Sequence, residues 1–352
     1  MRIAVVSPLY ESVPPKLYGG TERVVSYLTE ELVRLGHEVT LFATADSRTS
    51  ARLHAVAPRG LRMDSACHDP IAHHVAMVGD VLERAGEFDV VHFHIDYLHL
   101  PAVRAAGLKA VTTVHGRLDI PDLAPLFRRY REAPLVSISD AQRRPLAWAN
   151  WAATVYHGLP RDLLVPGSGR GGYLAFLGRI SPEKRPERAI RIARRAGLPL
   201  RIAAKVEKSD MAYFEAIVKP MLSDPGVEFV GEIGERDKAA FLGDAAALLF
   251  PIDWPEPFGL VMIESMACGT PVVAYRRGSV PEVIDPGVTG WIVDDEDQAA
   301  ATLASLDGFD RAACRRRFEE RFSAERMARD YVRVYRRVAA DGASSAVQAN
   351  AA

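Results

Sequence analysis

The chain has 352 residues, 48% of them hydrophobic and 25% charged, which is enough for two domains, each with its own core. Its formal net charge of -1 lacks the basic excess of a nucleic-acid binder, and its three cysteines, Cys67, Cys268 and Cys314, are too scattered for a disulfide framework or a cysteine metal site. No stretch approaches the roughly 18 apolar residues of a spanning helix, and the opening "MRIAVVSPLY" has too short an apolar run for a leader, so a cytoplasmic protein is expected.

Short apolar runs alternate with helical patterns from the start. "RIAVVSP" predicts a buried parallel strand, "TERVVSYLTEELVRLG" an amphipathic helix with Thr21 as N-cap and Gly36 as stop, and "HEVTLFAT" the next strand, which together make a βαβ unit. "DVVHFH", "KAVTTVHG", "PLVSISD" and "AATVYHG" add strands to an open, mostly parallel sheet. Residues 161–172, "RDLLVPGSGRGG", are rich in Gly, Pro and Ser and read as a linker. Beyond them the alternation restarts with "YLAFLGR", a helix from Pro186 to Ala196, "LRIAAK", another helix, "VEFVGE", "AALLFP", "TPVVAY" and "GWIVD". A charged helical pattern covers Arg311 to Ala339, and "DGASSAVQAN" is expected to fray. The expected class is α/β, with domains at 1–165 and 166–322, a last helix at 323–340 and a flexible tail at 341–352.

Open parallel sheets bind ligands at the carboxyl ends of their strands, so two such domains are expected to face each other across a cleft. The chemistry-bearing residues follow strands. "GRISPEK" presents Arg179 and Lys184 where a phosphate can lie, although by themselves two such cations are more often solvated loop charges. In "DWPEPFGLVMIESMACGTPVVAY", Pro257 and Gly259 force a corner, and the apolar run from Leu260 then reads as a helix whose free N–H groups attract an anion. Glu256 on the corner and Glu264 inside the helix suit the vicinal hydroxyls of a sugar or ribose; the alternative makes them a cap and a helix-dipole partner. "YGGTERVV" offers a second helix start, where Gly19 and Gly20 permit close approach of a phosphate or simply form a turn. His115 ends a strand in "TVHG", where its imidazole can meet a substrate hydroxyl. His92, His94 and Asp96 alternate in "VHFHID" but lack a matching ligand cluster near by, so they read as packed, hydrogen-bonded groups rather than metal ligands. "VDDED" at 293–297 reads as an exposed helix start.

Taken together, Glu-x7-Glu in "EPFGLVMIE", the following "SMACGTPVVA", "LGRISPEKRPERAI" and "YGGTE" resemble the retaining glycosyltransferase family 4, over nearly the whole chain. The resemblance implies the GT-B fold, two Rossmann-like domains whose C-terminal helix, here from about Ser323 to Val338, crosses back to the N-terminal domain. It implies that Arg179 and Lys184 hold the donor diphosphate, Glu264 the ribose and Glu256 the transferred sugar. Backbone N–H groups of Phe258, Gly259 and Leu260 would meet sugar and phosphate. Gly20, with Gly19, would lie beside the diphosphate, His115 near sugar and acceptor, and Ile233 among the donor contacts. The catalytic set so implied is Glu256, His115, Arg179 and Lys184, with no metal and no cofactor beyond the nucleotide-sugar substrate.

The chain departs from many members at "IAAKVEKSD", where a Gly-x-Gly is common, and at "YHGLP", where an Asn-Gly turn is common. With "SISDAQRRPL" and "VHFHIDYLHLP" it is similar to bacterial small-molecule glucosyltransferases such as the tetrahydropterin glucosyltransferases, which implies UDP-glucose as donor and GDP-mannose as the alternative. An epimerase acting on UDP-N-acetylglucosamine and a non-catalytic nucleotide-sugar sensor are the competing classes. The acceptor, a small molecule, glycan or lipid, is not legible. A basic run, Arg128, Arg129, Arg131, Arg143 and Arg144, reads as a solvated face, with an anionic acceptor or peripheral membrane contact as the alternative.

Overall fold

The computed structural model describes residues 1–16 and 19–349, with side chains described up to 340. The chain divides into two compact units, residues 1–158 with 324–352, and residues 159–323.

The first unit is built on seven strands, β1 (Arg2–Val6), β2 (Glu38–Thr44), β3 (Arg52–Ala57), β4 (Val90–Phe93), β5 (Ala110–Thr113), β6 (Leu135–Ser137) and β7 (Trp151–Thr154). They lie in the order β3-β2-β1-β4-β5-β6-β7, and every neighbouring pair is parallel. Parallel strands buried on both faces require unbroken apolar runs, and Ile3 to Val6 in the middle of the sheet are all 0% exposed. At the edge, β3 breaks that rule: "RLHAVA" mixes Arg52 and His54 with apolar residues and stays partly exposed, so its sequence hides a strand.

The helix Gly20–Arg34 begins one residue before Thr21, with Gly19 as its N-cap and no side-chain cap. Thr21 is therefore inside the first turn, which corrects the expected cap. Gly19 is fixed by sterics: a Cβ there would meet Pro15 Cβ at 2.8 Å. The helix ends where Gly36 takes φ +83°. Leu17 and Tyr18 of the "YGGTE" region lie outside the described residues.

The last helix, Ala324–Ala349, belongs to this first unit and packs on Gly20–Arg34, β4 and β5. Tyr331 and Tyr335 are its buried anchors, each 0% exposed, with hydroxyls bonded to Thr113 Oγ1 and His92 Nδ1 at 2.8 Å. The expected tail begins within this helix, whose backbone runs on to Ala349; residues 350–352 lie outside the described residues.

The second unit holds β8 (Leu174–Ile180), β9 (Leu200–Val206), β10 (Val227–Gly231), β11 (Ala247–Phe250), β12 (Val272–Tyr275) and β13 (Gly290–Val293), again all parallel, in the order β10-β9-β8-β11-β12-β13. Its core joins Leu174, Phe176, Ile190, Leu200, Ile202 and Leu249. Residues 161–172 are not a free linker. Gly167, Gly169 and Gly171 donate backbone hydrogen bonds to Cys268, Gly243 and Asp244, and a Cβ on Gly167 would lie 2.2 Å from the Gly243 carbonyl carbon. The small residues serve close backbone packing rather than flexibility. Asp295 of "VDDED" caps the helix Glu296–Leu303 by accepting from Gln298 N. No helix among the described residues is long and apolar enough to cross a membrane.

Candidate active site

Each sheet reverses its strand order at one point, between β1 and β4 and between β8 and β11, where diverging loops leave room for a ligand at the carboxyl ends of the strands. Arg179 lies near the end of β8 and Lys184 in the loop that follows, while Glu256 and Gly259 follow β11. All four therefore border the switch point of the second sheet.

The corner after β11 is held from several sides. Pro255 and Pro257 fix φ on either side of Glu256. Gly259 takes φ +80°, ψ 70° as the N-cap of the helix Leu260–Ala267, whose first turn has no side-chain cap. A Cβ at that glycine would meet Met262 Cε at 2.8 Å. The segment after β12 closes over the corner: Ser279 N donates to Glu256 O at 3.0 Å and Ser279 Oγ to Phe258 O at 2.8 Å. Gly278 has φ +51°, and a Cβ there would stand 2.3 Å from Glu256 O. Sequence reasoning passed over Gly278 and Ser279, because their requirement comes from a backbone distant in the chain.

Lys184 and Glu256 are brought together. Lys184 Nζ donates to Glu256 Oε2, and the same oxygen accepts from Trp254 Nε1 at 2.9 Å. The ammonium lies 5.0 Å from the Trp254 ring centroid and 5.5 Å from that of Phe250, within cation–π range. Glu256 Oε1 has no hydrogen-bond partner among the described residues, so one carboxylate oxygen is fixed and the other is available. Trp254 does not stand out in the sequence beyond its place in "WPEPFG".

Glu264 is 4% exposed, and its partner is a residue the sequence did not reveal. Lys238 Nζ donates to Glu264 Oε1 at 2.6 Å, from the helix Glu235–Gly243, with Glu235 Oε2 at 3.6 Å. Ile233 lies in the short loop between β10 and that helix and is half-buried.

Arg179 does not share these partners. Its Nη2 donates to Glu183 Oε2 at 3.1 Å, with Asp210 Oδ2 3.4 Å from Nε and Glu207 Oε2 4.0 Å from Nη1. A guanidinium has five N–H donors, so this acidic collar leaves several of them able to meet a phosphate. The loops of Arg179 and Glu256 are joined, since Asp253 N donates to Glu183 O at 2.8 Å. Arg188 Nη2 reinforces the junction by donating to Asp253 Oδ2 at 3.0 Å.

In the first unit, His115 follows β5 and is half-buried. Its Nε2 and His94 Nδ1 share a hydrogen bond of 2.8 Å, and the His157 ring stacks on it at 5.4 Å. Burial pushes the His115 imidazole down to about 3, so it is neutral near pH 7. Burial also holds His92, His94 and His157 well below the usual imidazole range, with neighbouring imidazoles adding to the effect. His92 is bonded through Nδ1 to Tyr335 and through Nε2 to Thr113 Oγ1. Among the described residues no group of three or more His, Cys, Asp or Glu is arranged to hold a metal ion. Gly19 and Gly20 stand at the start of the helix after β1, whose uncapped N–H groups follow that strand.

Comparison with known proteins decides the family. Residues 18–157 match the family described as Glycosyltransferase Family 4, and residues 168–320 match Glycosyl transferases group 1, so the two matches together cover most of both units. The chain belongs to the family 4 glycosyltransferases. Among curated relatives of this glycosyltransferase is a D-inositol 3-phosphate glycosyltransferase of Mycolicibacterium smegmatis, 28% identical over 345 residues, covering 79% of this chain and 76% of the relative. A glycogen synthase of Mycobacterium tuberculosis is 28% identical over 388 residues, covering 94% and 91%. The crystal structure of AviGT4, a glycosyltransferase involved in avilamycin A biosynthesis, superposes with a TM-score of 0.73 at 25% identity, covering 97% of this chain and 98% of that one. Two Rossmann-like parallel-sheet domains and GT-B neighbours thus accompany the family assignment.

Proposed function

We propose that this glycosyltransferase moves a glucosyl unit from UDP-glucose to an acceptor hydroxyl with retention of anomeric configuration. The observation that carries the reading is the Lys184–Glu256 pair beside the uncapped, glycine-led helix Leu260–Ala267, at the switch point of the second sheet. A cation, free backbone N–H groups and a carboxylate with one open oxygen match a diphosphate joined to a polyol. Relatives named as a D-inositol 3-phosphate glycosyltransferase and a glycogen synthase support glycosyl transfer, and the choice of glucose rests on the sequence resemblance of "SISDAQRRPL" and "VHFHIDYLHLP" to bacterial small-molecule glucosyltransferases.

As the bond between the anomeric carbon and the diphosphate breaks, negative charge grows on the leaving oxygen. Lys184, the open N–H groups of Arg179 and the helix start at Leu260 stabilise that charge in place, without reorganisation. Glu256 orients the sugar through Oε1 and favours positive character at the anomeric carbon. The acceptor attacks on the face the leaving group vacates, and the departing phosphate takes the acceptor's proton. In the first unit His115, held by His94, offers a neutral imidazole to an acceptor hydroxyl. These charges suffice for leaving-group stabilisation, so the transfer is proposed to continue in the presence of a chelator.

The test is incubation of cell extract with the protein and UDP-glucose, mass spectrometry for a product heavier by one hexose, and proton NMR of its anomeric centre. An α-linked product supports the reading. A β-linked product, or consumption of GDP-mannose and not UDP-glucose, overturns it. Free UDP released from UDP-N-acetylglucosamine without acceptor would indicate the epimerase class.

A further inference from the structure

We infer that Lys238 is a positioning residue for the ribose of the donor nucleotide, acting through Glu264. This inference rests on the proposed reading of Glu264 as the ribose-binding carboxylate.

Glu264 and Lys238 are both withdrawn from water, with side-chain exposures of 5% and 12%, and Lys238 Nζ lies 2.6 Å from Glu264 Oε1. A carboxylate so placed keeps its charge only if a cation compensates the lost hydration. Among the described residues Glu264 has no other hydrogen-bonding or ion-pair partner for its side chain. Glu235 Oε2, one turn earlier on the same helix, stands 3.6 Å from the same ammonium.

The consequence is geometric. With Oε1 committed to Lys238, the carboxylate cannot rotate freely, and Oε2 is the oxygen left to accept from hydroxyl donors. An ionised carboxylate oxygen has two lone pairs, which suit the two adjacent hydroxyls of a ribose. The helix Glu235–Gly243 that brings Lys238 directly follows the loop holding Ile233, so the ribose-positioning cation and a proposed donor contact lie in consecutive segments of the chain. A Lys at this place therefore makes discrimination between ribose and deoxyribose a property of the pair rather than of Glu264 alone.

The experiment is isothermal titration of the full chain with UDP and with 2′-deoxy-UDP, on the wild type and on Glu264→Gln, Lys238→Met, Lys238→Gln and Lys238→Arg. A site built to bond a hydroxyl rejects the analogue lacking it, and the wild type is expected to prefer UDP by at least about tenfold. In Glu264→Gln and Lys238→Met the preference should fall to within about threefold of unity, with 2′-deoxy-UDP, which keeps only the 3′-hydroxyl contact, weakened less than UDP. Lys238→Arg should keep the preference. Lys238→Gln, a neutral side chain that keeps part of the packing, should lose it and serves if Lys238→Met does not fold. A merely structural lysine would weaken both nucleotides alike. Retention of the wild-type preference in both neutral Lys238 variants, with its loss in Glu264→Gln, overturns the inference and leaves the ribose reading intact. Retention in Glu264→Gln, or no preference in the wild type, overturns both.

Discussion

The Lys184 ammonium and the Glu256 carboxylate form one ion pair in the second unit, and the indole N–H of Trp254 donates to the same carboxylate oxygen. Their side chains are 19% and 10% exposed, so the pair is shielded but reachable. Removing one member leaves the other in a poorly solvated place. Lys184→Ala should lower kcat by roughly 10² to 10³ through the lost leaving-group contact. It should also cost on the order of 3 kcal/mol of stability. Lys184→Met/Glu256→Gln should regain most of that stability but none of the activity. Thermal melts beside initial rates check both halves, and a fully active Lys184→Ala chain would remove the assignment.

Trp254→Phe separates the ring from its N–H. Phenylalanine keeps a face for the Lys184 ammonium but cannot donate to Glu256 Oε2. A hydrogen bond to a charged group is worth about 1.5–3 kcal/mol, so kcat/KM should fall roughly ten- to hundredfold, with a fall in melting temperature smaller than that of Lys184→Ala. An unchanged kcat/KM would show that Glu256 needs no second donor.

Gly278→Ala tests the clamp over the corner. A methyl group 2.3 Å from Glu256 O, on a residue at φ +51°, cannot be accommodated without moving one of the two segments. A misplacement of about 1 Å near the chemistry can cost 10²-fold, so kcat should drop by about that factor. The same change at Gly287, where a Cβ meets nothing within 4 Å, should leave kcat intact and makes the control. Equal effects at the two positions would refute the clamp.

The architecture is legible in the sequence because buried parallel strands are continuous apolar runs and their punctuation falls where loops leave the sheet. "PEPFGLVMIE" stands out because two prolines and a glycine crowd a strand end, a local signal that needs no partner to be read. Lys238 does not stand out. "ERDKAAFLG" is a short helix with little contrast between its faces, and the lysine's meaning lies in Glu264, 26 residues away. Gly278 is silent for the same reason, and β3 hides because an edge strand tolerates Arg52 and His54. Composition misleads once: the Gly-, Pro- and Ser-rich run 161–172 reads as a linker, whereas Gly167 lies against the backbone of Gly243.

The histidines of the first unit set an acid limit. His99 and His115 are held at about 3 by burial, and His92, His94 and His157 are likewise lowered, against about 6.5 in the unfolded chain. Below pH 6.5 the unfolded chain binds protons that the folded chain refuses, so stability falls as pH falls from about 6.5 toward 3. His99, 0% exposed, contributes up to about 1.4 kcal/mol per pH unit in that window. Melting temperature should therefore drop between pH 7 and pH 5, and the drop should shrink in His99→Gln. At the same time kcat/KM should show no limb between pH 5 and 7 that disappears in His115→Asn, because His115 stays neutral throughout.

The central claim is that Arg179, Lys184 and the corner at Glu256 form the seat of a nucleotide-sugar diphosphate. Isothermal titration of UDP-glucose into the wild type and into a folded Arg179→Ala/Lys184→Ala chain tests it most directly. The account predicts saturable binding to the wild type and at least about 10²-fold weaker binding to the variant, as two charge-assisted contacts are lost. Equal affinity in the two proteins would contradict it.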